Sequence, residues 1–471
     1  MSRPTSPGKI APMNPAIFRE YDIRGKANVD YDEKFAHALG RAVASRLRRR
    51  PAGGRPPALA LGRDCRLTSD AFASALGRGA RESGVDVVDV GMCPTPLLYF
   101  ALFQLEVDGG VQVTGSHNPP EDNGFKICIG KESIYGKEIA GLRAEIERGD
   151  FTTGAGALRS VPIIPAYEKF CAAQFGVLPR RLKVIVDAGN GAAGPVAPQI
   201  LRALGCEVTP LFCDPDGRFP NHHPDPTLPE NLADLIRAVE RERADVGIAF
   251  DGDADRIGLV APGGRIIWGD ELLVILAREV LTRKPGAIVV SEVKCSQRLY
   301  DDVEKHGGKA IMWKAGHSLL KAKMKETGAA IGGEMSGHMF FADRFFGYDD
   351  AIYAACRLLE ILARSKGGLL DLLDGLPPAF STPEIRVDCP DEIKFEVATR
   401  ARERFARDYP VNDVDGVRIN FGDGWGLVRA SNTQPALVLR FESSDERKRD
   451  QYRRMVEGVV AEIQSGLAGK R

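Results

Sequence analysis

Residues 182–256 open on LKVIVDAGNG (182–191) and close on DVGIAFDGDADR (245–256). Each stretch is a short apolar run that breaks into a glycine-bearing polar turn, which predicts a buried strand with a loop at its carboxyl end. Residues 194–205 and 229–243, between them, read as helices. Strand and helix in alternation predict a parallel α/β unit, and such units place ligands in the loops at strand carboxyl ends.

The same grammar extends on both sides. Upstream, ALALG (57–61), VDVVDV (85–90) and GGVQV (109–113) read as strands, with helices over 68–84 and 94–105. GGVQV runs into the loop TGSHNPPEDNG (114–124), and the turn-rich stretch 147–160 reads as a linker. Downstream, a third pass begins near 264. It has a helix over 269–281, the strand AIVVSEV (287–293), a helix over 316–328, the segment GGEMSGH (332–338) and a closing helix over 348–365. After Leu376-Pro377-Pro378 the pattern changes. A strand at 382–387 and a helix over 391–407 precede the glycine-broken strands VRINF (417–421), GLVRA (426–430) and LVLRFE (437–442), then a helical tail over 446–466. The expected fold class is α/β: three similar mixed α/β domains (1–160, 161–263, 264–376) plus a C-terminal α+β domain (377–471). A chain of 471 residues accommodates this at roughly 150 residues per domain.

Composition narrows the partners. Lys plus Arg and Asp plus Glu both number 64, and this zero balance argues against nucleic acid or an anionic membrane, which demand a basic excess. No apolar run is long enough for a membrane helix. The first 13 residues carry no apolar core, so they read as a disordered lead-in rather than a secretory signal. Nine cysteines are scattered without a CxxC pair, the pattern of reduced, mostly buried thiols in a cytoplasmic protein. The run RLRRR (46–50) reads as a solvated helix end.

Four polar loops, about one per expected domain, carry the chemistry. In the first, Ser116 follows Thr114-Gly115 and precedes His117-Asn118-Pro119-Pro120, with Lys126 nearby. The residues suit a nucleophile flanked by basic groups, and equally a serine turn before a Pro-Pro stop. The flanks are not those of a G-x-S-x-G elbow, so a hydrolase triad is unsupported. In the second, Asp251, Asp253 and Asp255 alternate, with Arg256 following. Three carboxylates in one tight loop call for a cation, and hard oxygen donors suit Mg²⁺ better than zinc. A calcium EF-hand would need Gly and Glu where Arg256 and Pro262 stand. In the third, Glu334, Ser336 and His338 alternate and would share one side of an extended segment, a kit for sugar hydroxyls and proton transfer. An ordinary half-buried strand is the competing reading. Lys294 and the run Lys314-Ala315-Gly316-His317 add cationic donors. In the fourth, Arg429, Ser431, Asn432 and Thr433 offer a guanidinium, hydroxyls, an amide and turn N–H groups, the makings of a phosphate cradle. Such residues also gather in plain turns.

From Phe18-Arg19-Glu20-Tyr21-Asp22-Ile23-Arg24-Gly25 through Arg429–Thr433, these motifs in this order and spacing resemble the α-D-phosphohexomutase superfamily, and within it the bacterial phosphomannomutase/phosphoglucomutase group. The resemblance implies four domains around a central active-site cleft, the last one mobile. It implies interconversion of mannose or glucose 1-phosphate and 6-phosphate through a 1,6-bisphosphate, with a phosphoserine at Ser116. One Mg²⁺ is implied, held by Asp251, Asp253, Asp255 and the Ser116 phosphate, with glucose or mannose 1,6-bisphosphate as activator. Catalytic positions fall on Ser116, His117, Lys126, Arg24, Arg256 and His338, with His117 orienting the phosphoserine and Lys126 and His338 as candidate bases. Substrate-binding positions fall on Tyr21, Lys294, His317, Glu334, Ser336, Arg429, Ser431, Asn432 and Thr433. The expected partner is a phosphosugar, and the expected enzyme a cytoplasmic monomer. Two departures are small: Gln434 stands before Pro435 in the phosphate loop, and the lead-in is longer. Alternatives are a phosphoglucosamine mutase, disfavoured by Met335 and by Gly115 before Ser-His-Asn, and a non-catalytic sugar-phosphate binding protein, disfavoured by the intact serine and aspartates. A phosphatase has least support.

Overall fold

The structure, a computed structural model, describes residues 13–50, 54–432 and 434–468. The lead-in up to residue 12, residues 51–53 and Thr433 lie outside the described residues. The chain divides into two compact units. The first runs to Gly269 and adds Ser336–Met339 and Tyr348–Leu372; the second comprises Asp270–Met335, Phe340–Gly347 and the chain from Leu373 onward.

The first unit holds two sheets. One is seven-stranded, in the order Ile23–Lys26, Asp122–Ile129, Gly109–Val113, Ala58–Arg63, Asp86–Met92, Leu158–Ser160, with Glu132–Ser133 paired to Asp122–Ile129. Its centre is parallel, and Asp122–Ile129 is antiparallel to both neighbours. The apolar faces of Leu59, Val87 and Val111 pack with Leu39 and Val43 of the helix Glu33–Arg49 and Phe72 and Leu76 of the helix Ser69–Glu82. Asp32 caps the first helix by accepting from the Lys34 and Phe35 amides, and its basic last turn suits the negative end of the helix dipole. Two expectations change here. The supposed linker ends in the strand Leu158–Ser160, parallel to Asp86–Met92. The loop after Gly109–Val113 is also shorter than expected, because Asp122–Ile129 is already strand.

The second sheet has the order Ile266–Ile267, Ile257–Val260, Val246–Phe250, Lys183–Asp187, Glu207–Leu211. Its last three strands are parallel: Val246–Phe250 and Lys183–Asp187 are buried apolar runs, as parallel strands require, and Glu207–Leu211 is a half-exposed edge. The helix Ala351–Arg364 also belongs to this unit, capped by Asp350, whose carboxylate takes the Tyr353 amide and the Tyr167 hydroxyl.

In the second unit, Ile288–Glu292 lies between Lys309–Trp313 and Ile331–Gly333, parallel to both. The C-terminal sheet is antiparallel, ordered Phe380–Ser381, Ala436–Ser443, Gly424–Ala430, Val417–Asn420, Val411–Asn412, with Ile385–Asp388 also on Ala436–Ser443. One face packs Val417, Val428 and Leu439 with helix residues Val397 and Val456. The other carries Trp425 and Leu427, which pack against Val293. Three mixed α/β layers and an α+β C-terminus are thus the observed class. No helix of the described residues is long and apolar enough to cross a membrane.

Candidate active site

Ser116 sits between the strands Gly109–Val113 and Asp122–Ile129, in the left-handed region at φ 49°. That conformation is sparsely populated for a side-chain-bearing residue. It is held from several sides: the Ser116 amide donates to Thr114 Oγ1 at 2.8 Å, and Arg66 Nη2 donates to the Ser116 carbonyl at 2.7 Å. The turn here is made by the Thr114 hydroxyl and not, as the bland alternative had it, by Ser116. The Ser116 hydroxyl is turned to Asp251 Oδ2 at 2.8 Å and His117 Nδ1 at 3.1 Å. Burial and the guanidiniums of Arg256 and Arg24 push His117 well below its ordinary pKa, which makes it a neutral imidazole.

The aspartate loop leaves the carboxyl end of the buried strand Val246–Phe250. Asp251 Oδ1 accepts the amides of Asp255 and Arg256, which ties the loop closed and leaves Oδ2 for Ser116. Gly252 allows the two loops to touch, since a Cβ there would stand 2.4 Å from the Ser116 carbonyl oxygen. Asp253 Oδ2 takes the Thr95 hydroxyl at 2.5 Å and Lys126 Nζ at 2.8 Å. Lys126 also pairs with Asp255 Oδ2, and these two carboxylates overcome burial to raise its pKa. Asp255 Oδ1 lies 3.0 Å from His338 Nε2, which is 3.4 Å from Arg256 Nε. Arg24 spans Asp22 Oδ2 at 2.6 Å and Asn118 Oδ1 at 2.8 Å, with Tyr21 half-buried before it.

Carboxylate oxygens of Asp251, Asp253 and Asp255 lie within 4.8 Å of one another, all buried. Asp253 Oδ1 is buried and has no partner among the described residues. An orphaned buried carboxylate oxygen is costly, and an all-oxygen donor set beside it fits a hard dication such as Mg²⁺.

Ser336 and His338 do not lie on an extended strand with Glu334. Residues 335–337 form a turn, so the alternation expected there fails. Gly337 makes it possible, at φ 96° with Ile257 oxygen 2.3 Å from where a Cβ would stand. Ser336 Oγ lies 3.4 Å from His338 Nδ1.

The second unit gathers the remaining residues through shared carboxylates. Glu334 accepts the Gly316 amide at 2.7 Å, just before His317 opens the helix His317–Thr327. Asp415 Oδ2 takes both the Ala315 amide at 3.0 Å and Arg429 Nε at 2.9 Å. Glu292 accepts the Lys294 amide at 2.9 Å and the Met335 amide at 3.3 Å. Lys294 Nζ pairs with Glu384 at 3.1 Å. Ser431 Oγ accepts the Gln434 amide, with Asn432 half-buried beside it. A crevice of about 960 Å³ in this unit opens at the other end of Gly424–Ala430, around Asn412 and Asp423, and so lies away from Arg429, Ser431 and Asn432.

Four family profiles match in succession: phosphoglucomutase/phosphomannomutase α/β/α domain I over residues 15–153, domain II over 167–264, domain III over 268–380 and the C-terminal domain over 384–459. A phosphomannomutase/phosphoglucomutase of Pseudomonas aeruginosa is 46% identical over 97% of this chain and 98% of that protein. The chain belongs to the phosphoglucomutase/phosphomannomutase family. A phosphoglucomutase of Neisseria gonorrhoeae is 43% identical over 94% of this chain and 96% of that protein. A crystal structure of a phosphoglucomutase/phosphomannomutase family protein from Burkholderia thailandensis superposes with a TM-score of 0.90 at 44% identity, covering 96% and 99% of the two chains. The chain is thus a sugar-phosphate mutase, and neither the glucosamine nor the non-catalytic alternative is favoured.

Sequence reasoning missed several residues of this mutase. Arg66 is fully buried against Asp64 and donates to the carbonyls of Ser116, Asn118, Pro119 and Asp122, which makes it the frame of the serine loop. Its segment Asp64-Cys65-Arg66 lies between a strand and a helix and carries no motif that marks it. Thr95, Glu292 and Asp415 were missed as well. Each is a single polar residue with no local motif, and only the folded chain shows what it holds.

Proposed function

We propose that the mutase interconverts the 1- and 6-phosphates of glucose and mannose through a 1,6-bisphosphate, with Ser116 as the phosphoryl carrier. The observation that carries the reading is the Ser116 hydroxyl resting on Asp251 within the aspartate cluster, beside His117. In the first half-reaction the phosphoserine P–O bond breaks, a bond from phosphorus to the free sugar hydroxyl forms, and the hydroxyl proton passes to a base. In the second the other sugar P–O bond of the bisphosphate breaks, phosphorus returns to the Ser116 oxygen, and the freed sugar oxygen takes the proton back. Asp251, Asp253 and Asp255 would hold Mg²⁺, which supplies charge neutralisation for the transferring group when bound. Arg256 and Arg24 add positive charge to the same place. Lys126 and His338 are the base candidates. Lys126, clasped by two carboxylates, is charged as it stands, which favours His338.

Lys294, His317, Glu334 and the Arg429–Thr433 loop would hold the sugar and its other phosphate, with Tyr21 and Ser336 as further contacts. Glucose or mannose 1,6-bisphosphate would act as activator by phosphorylating Ser116. The four-part division at 160, 263 and 376, a mobile C-terminal domain, a monomeric state and a cytoplasmic setting belong to the same proposal; its nine free thiols suit that setting. The test is conversion of glucose 1-phosphate and mannose 1-phosphate in both directions, with and without chelator. Product should be the 6-phosphate with no inorganic phosphate beyond background. Stoichiometric phosphate release would replace the mutase by a phosphatase.

A further inference from the structure

The turn Val293–Cys295 leaves the carboxyl end of the strand Ile288–Glu292 with three successive carbonyls that need donors. Two buried arginines of the C-terminal sheet supply them. Arg418 Nη1 donates to the Val293 oxygen at 2.6 Å and the Cys295 oxygen at 2.7 Å, and Arg418 Nη2 donates to Gln297 Oε1 at 3.2 Å. Arg440 Nη1 donates to the oxygen of Lys294 itself, reaches Met335 Sδ, and lies 3.6 Å from Asp270. Arg418 also lies over the Trp425 ring, 3.7 Å from its centroid.

The sheet register explains why the two act together. Arg418 stands opposite Leu427, and Leu427 opposite Arg440, so all three form one row across three strands. Side chains alternate along a strand, so Arg429, two residues past Leu427, projects on the same face. That face is fastened to the turn that carries Lys294. Apolar packing among Val293, Trp425 and Leu427 already joins these parts, and burying two guanidiniums there is expensive. What the guanidiniums add is direction: a planar fork fixes the orientation of several carbonyls at once, which an ammonium cannot do.

We infer that Arg418 and Arg440 are positioning residues that set the direction of Lys294 relative to Arg429, so that the two cations meet one phosphosugar at the right spacing. The inference rests on the proposed binding roles of Lys294 and Arg429. Without the fork the Lys294 turn is free to rotate while the C-terminal sheet keeps its own core.

The test is steady-state kinetics on the full chain with glucose 1-phosphate, comparing wild type, Lys294→Ala, Arg418→Met, Arg418→Lys and the double variant Lys294→Ala/Arg418→Met. Lys294→Ala and Arg418→Met should each raise KM about tenfold with kcat within about threefold, because misdirected binding groups weaken capture. The double variant should match Lys294→Ala within about twofold, since both changes remove one interaction. Arg418→Lys should recover less than half of the loss. Effects that multiply in the double variant, an unchanged KM in Arg418→Met, or full recovery in Arg418→Lys would overturn the positioning role alone. An unchanged KM in Lys294→Ala would instead overturn the binding role of Lys294, and the inference with it. Should Arg418→Met fail to fold, Arg440→Lys carries the same prediction against Lys294→Ala.

Discussion

Ser116 Oγ donates a 2.8 Å hydrogen bond to Asp251 Oδ2, although 135 residues separate the two in the chain. The contact aligns the proposed phosphoryl carrier with the carboxylates suited to a dication. It depends on two loops from different sheets approaching closely, with Gly252 against the Ser116 carbonyl.

The dication site can be probed by its supports. Thr95 donates to Asp253 Oδ2 at 2.5 Å, which leaves Oδ1 as the buried oxygen without a partner among the described residues. Replacing such an outer partner usually weakens metal binding by about 10–100-fold. Thr95→Val should therefore need about that much more Mg²⁺ for half-maximal activity. Titration calorimetry should show the same shift, and Asp253→Asn should bind Mg²⁺ more weakly still. Equal Mg²⁺ affinity in both variants and wild type would mean that the cluster is not the site.

Arg66 holds four carbonyls of the serine loop and is paired with Asp64. Removing one partner of a buried pair costs about 3–5 kcal/mol. Arg66→Met should lower thermal stability to that extent and depress kcat by at least about tenfold, because Ser116 loses its enforced left-handed backbone. Differential scanning calorimetry and turnover on the same preparation would check both. Loss of stability with full turnover per folded molecule would confine Arg66 to a structural role.

These cases show what a sequence makes legible. The strands Gly109–Val113 and Val246–Phe250 announce themselves as apolar runs, and the acidic loop follows because three carboxylates crowd a short span. Asp122–Ile129 was half hidden, since Asp122, Asn123 and Lys126 break its apolar pattern, and Lys126 is turned to the aspartates instead of a core. Leu158–Ser160 is exposed throughout and short, so its pairing with Asp86–Met92 leaves no hydrophobic signal. The Glu334–His338 segment misled by its alternation, because Gly337 turns the chain where a strand would have gone straight. Asp415 and Arg418 had no local mark, because the backbone groups they hold at Ala315 and Val293 lie 100 and 125 residues away.

Acid should loosen the second unit through Glu384. The Lys294 ammonium holds this carboxyl at about 2, below its ordinary 4.5, with burial opposing and Arg386 assisting. A depressed carboxyl contributes stability that is full above its unfolded pKa and is lost as pH falls through the folded value. The window is therefore from about pH 5 down to about pH 2. Glu384→Gln should be less stable than wild type by roughly 2–3 kcal/mol near neutrality and equal to it near the bottom of that window. Urea unfolding at a series of pH values would show the two curves converging. A constant gap across the window would rule out the Lys294 pair as the cause.

Sugar breadth follows from the need to present both ends of one bisphosphate to Ser116. A half-turn of the hexose roughly exchanges O3 and O4, from which the Glu334 carboxylate, oriented by the Gly316 amide on Oε1, can accept in both poses. The same turn carries C2 to where C5 had been, so a tight reader of C2 would obstruct one pose. Glucose and mannose 1-phosphates should therefore have kcat/KM values within about two orders of magnitude, roughly 3 kcal/mol. Galactose 1-phosphate, which differs at C4, should be much poorer. Rejection of either gluco or manno substrate would refute the symmetry argument.

The central claim, that Ser116 carries the phosphoryl group, is tested most directly by one transfer experiment. The protein is incubated with Mg²⁺ and glucose 1,6-bisphosphate labelled in its phosphates, and the label is located by peptide mass spectrometry. The account predicts one phosphate per chain, on Ser116, discharged to the bisphosphate when glucose 1-phosphate or glucose 6-phosphate is added, with no label in Ser116→Ala. Label on another residue, or undiminished turnover in Ser116→Ala, would contradict it.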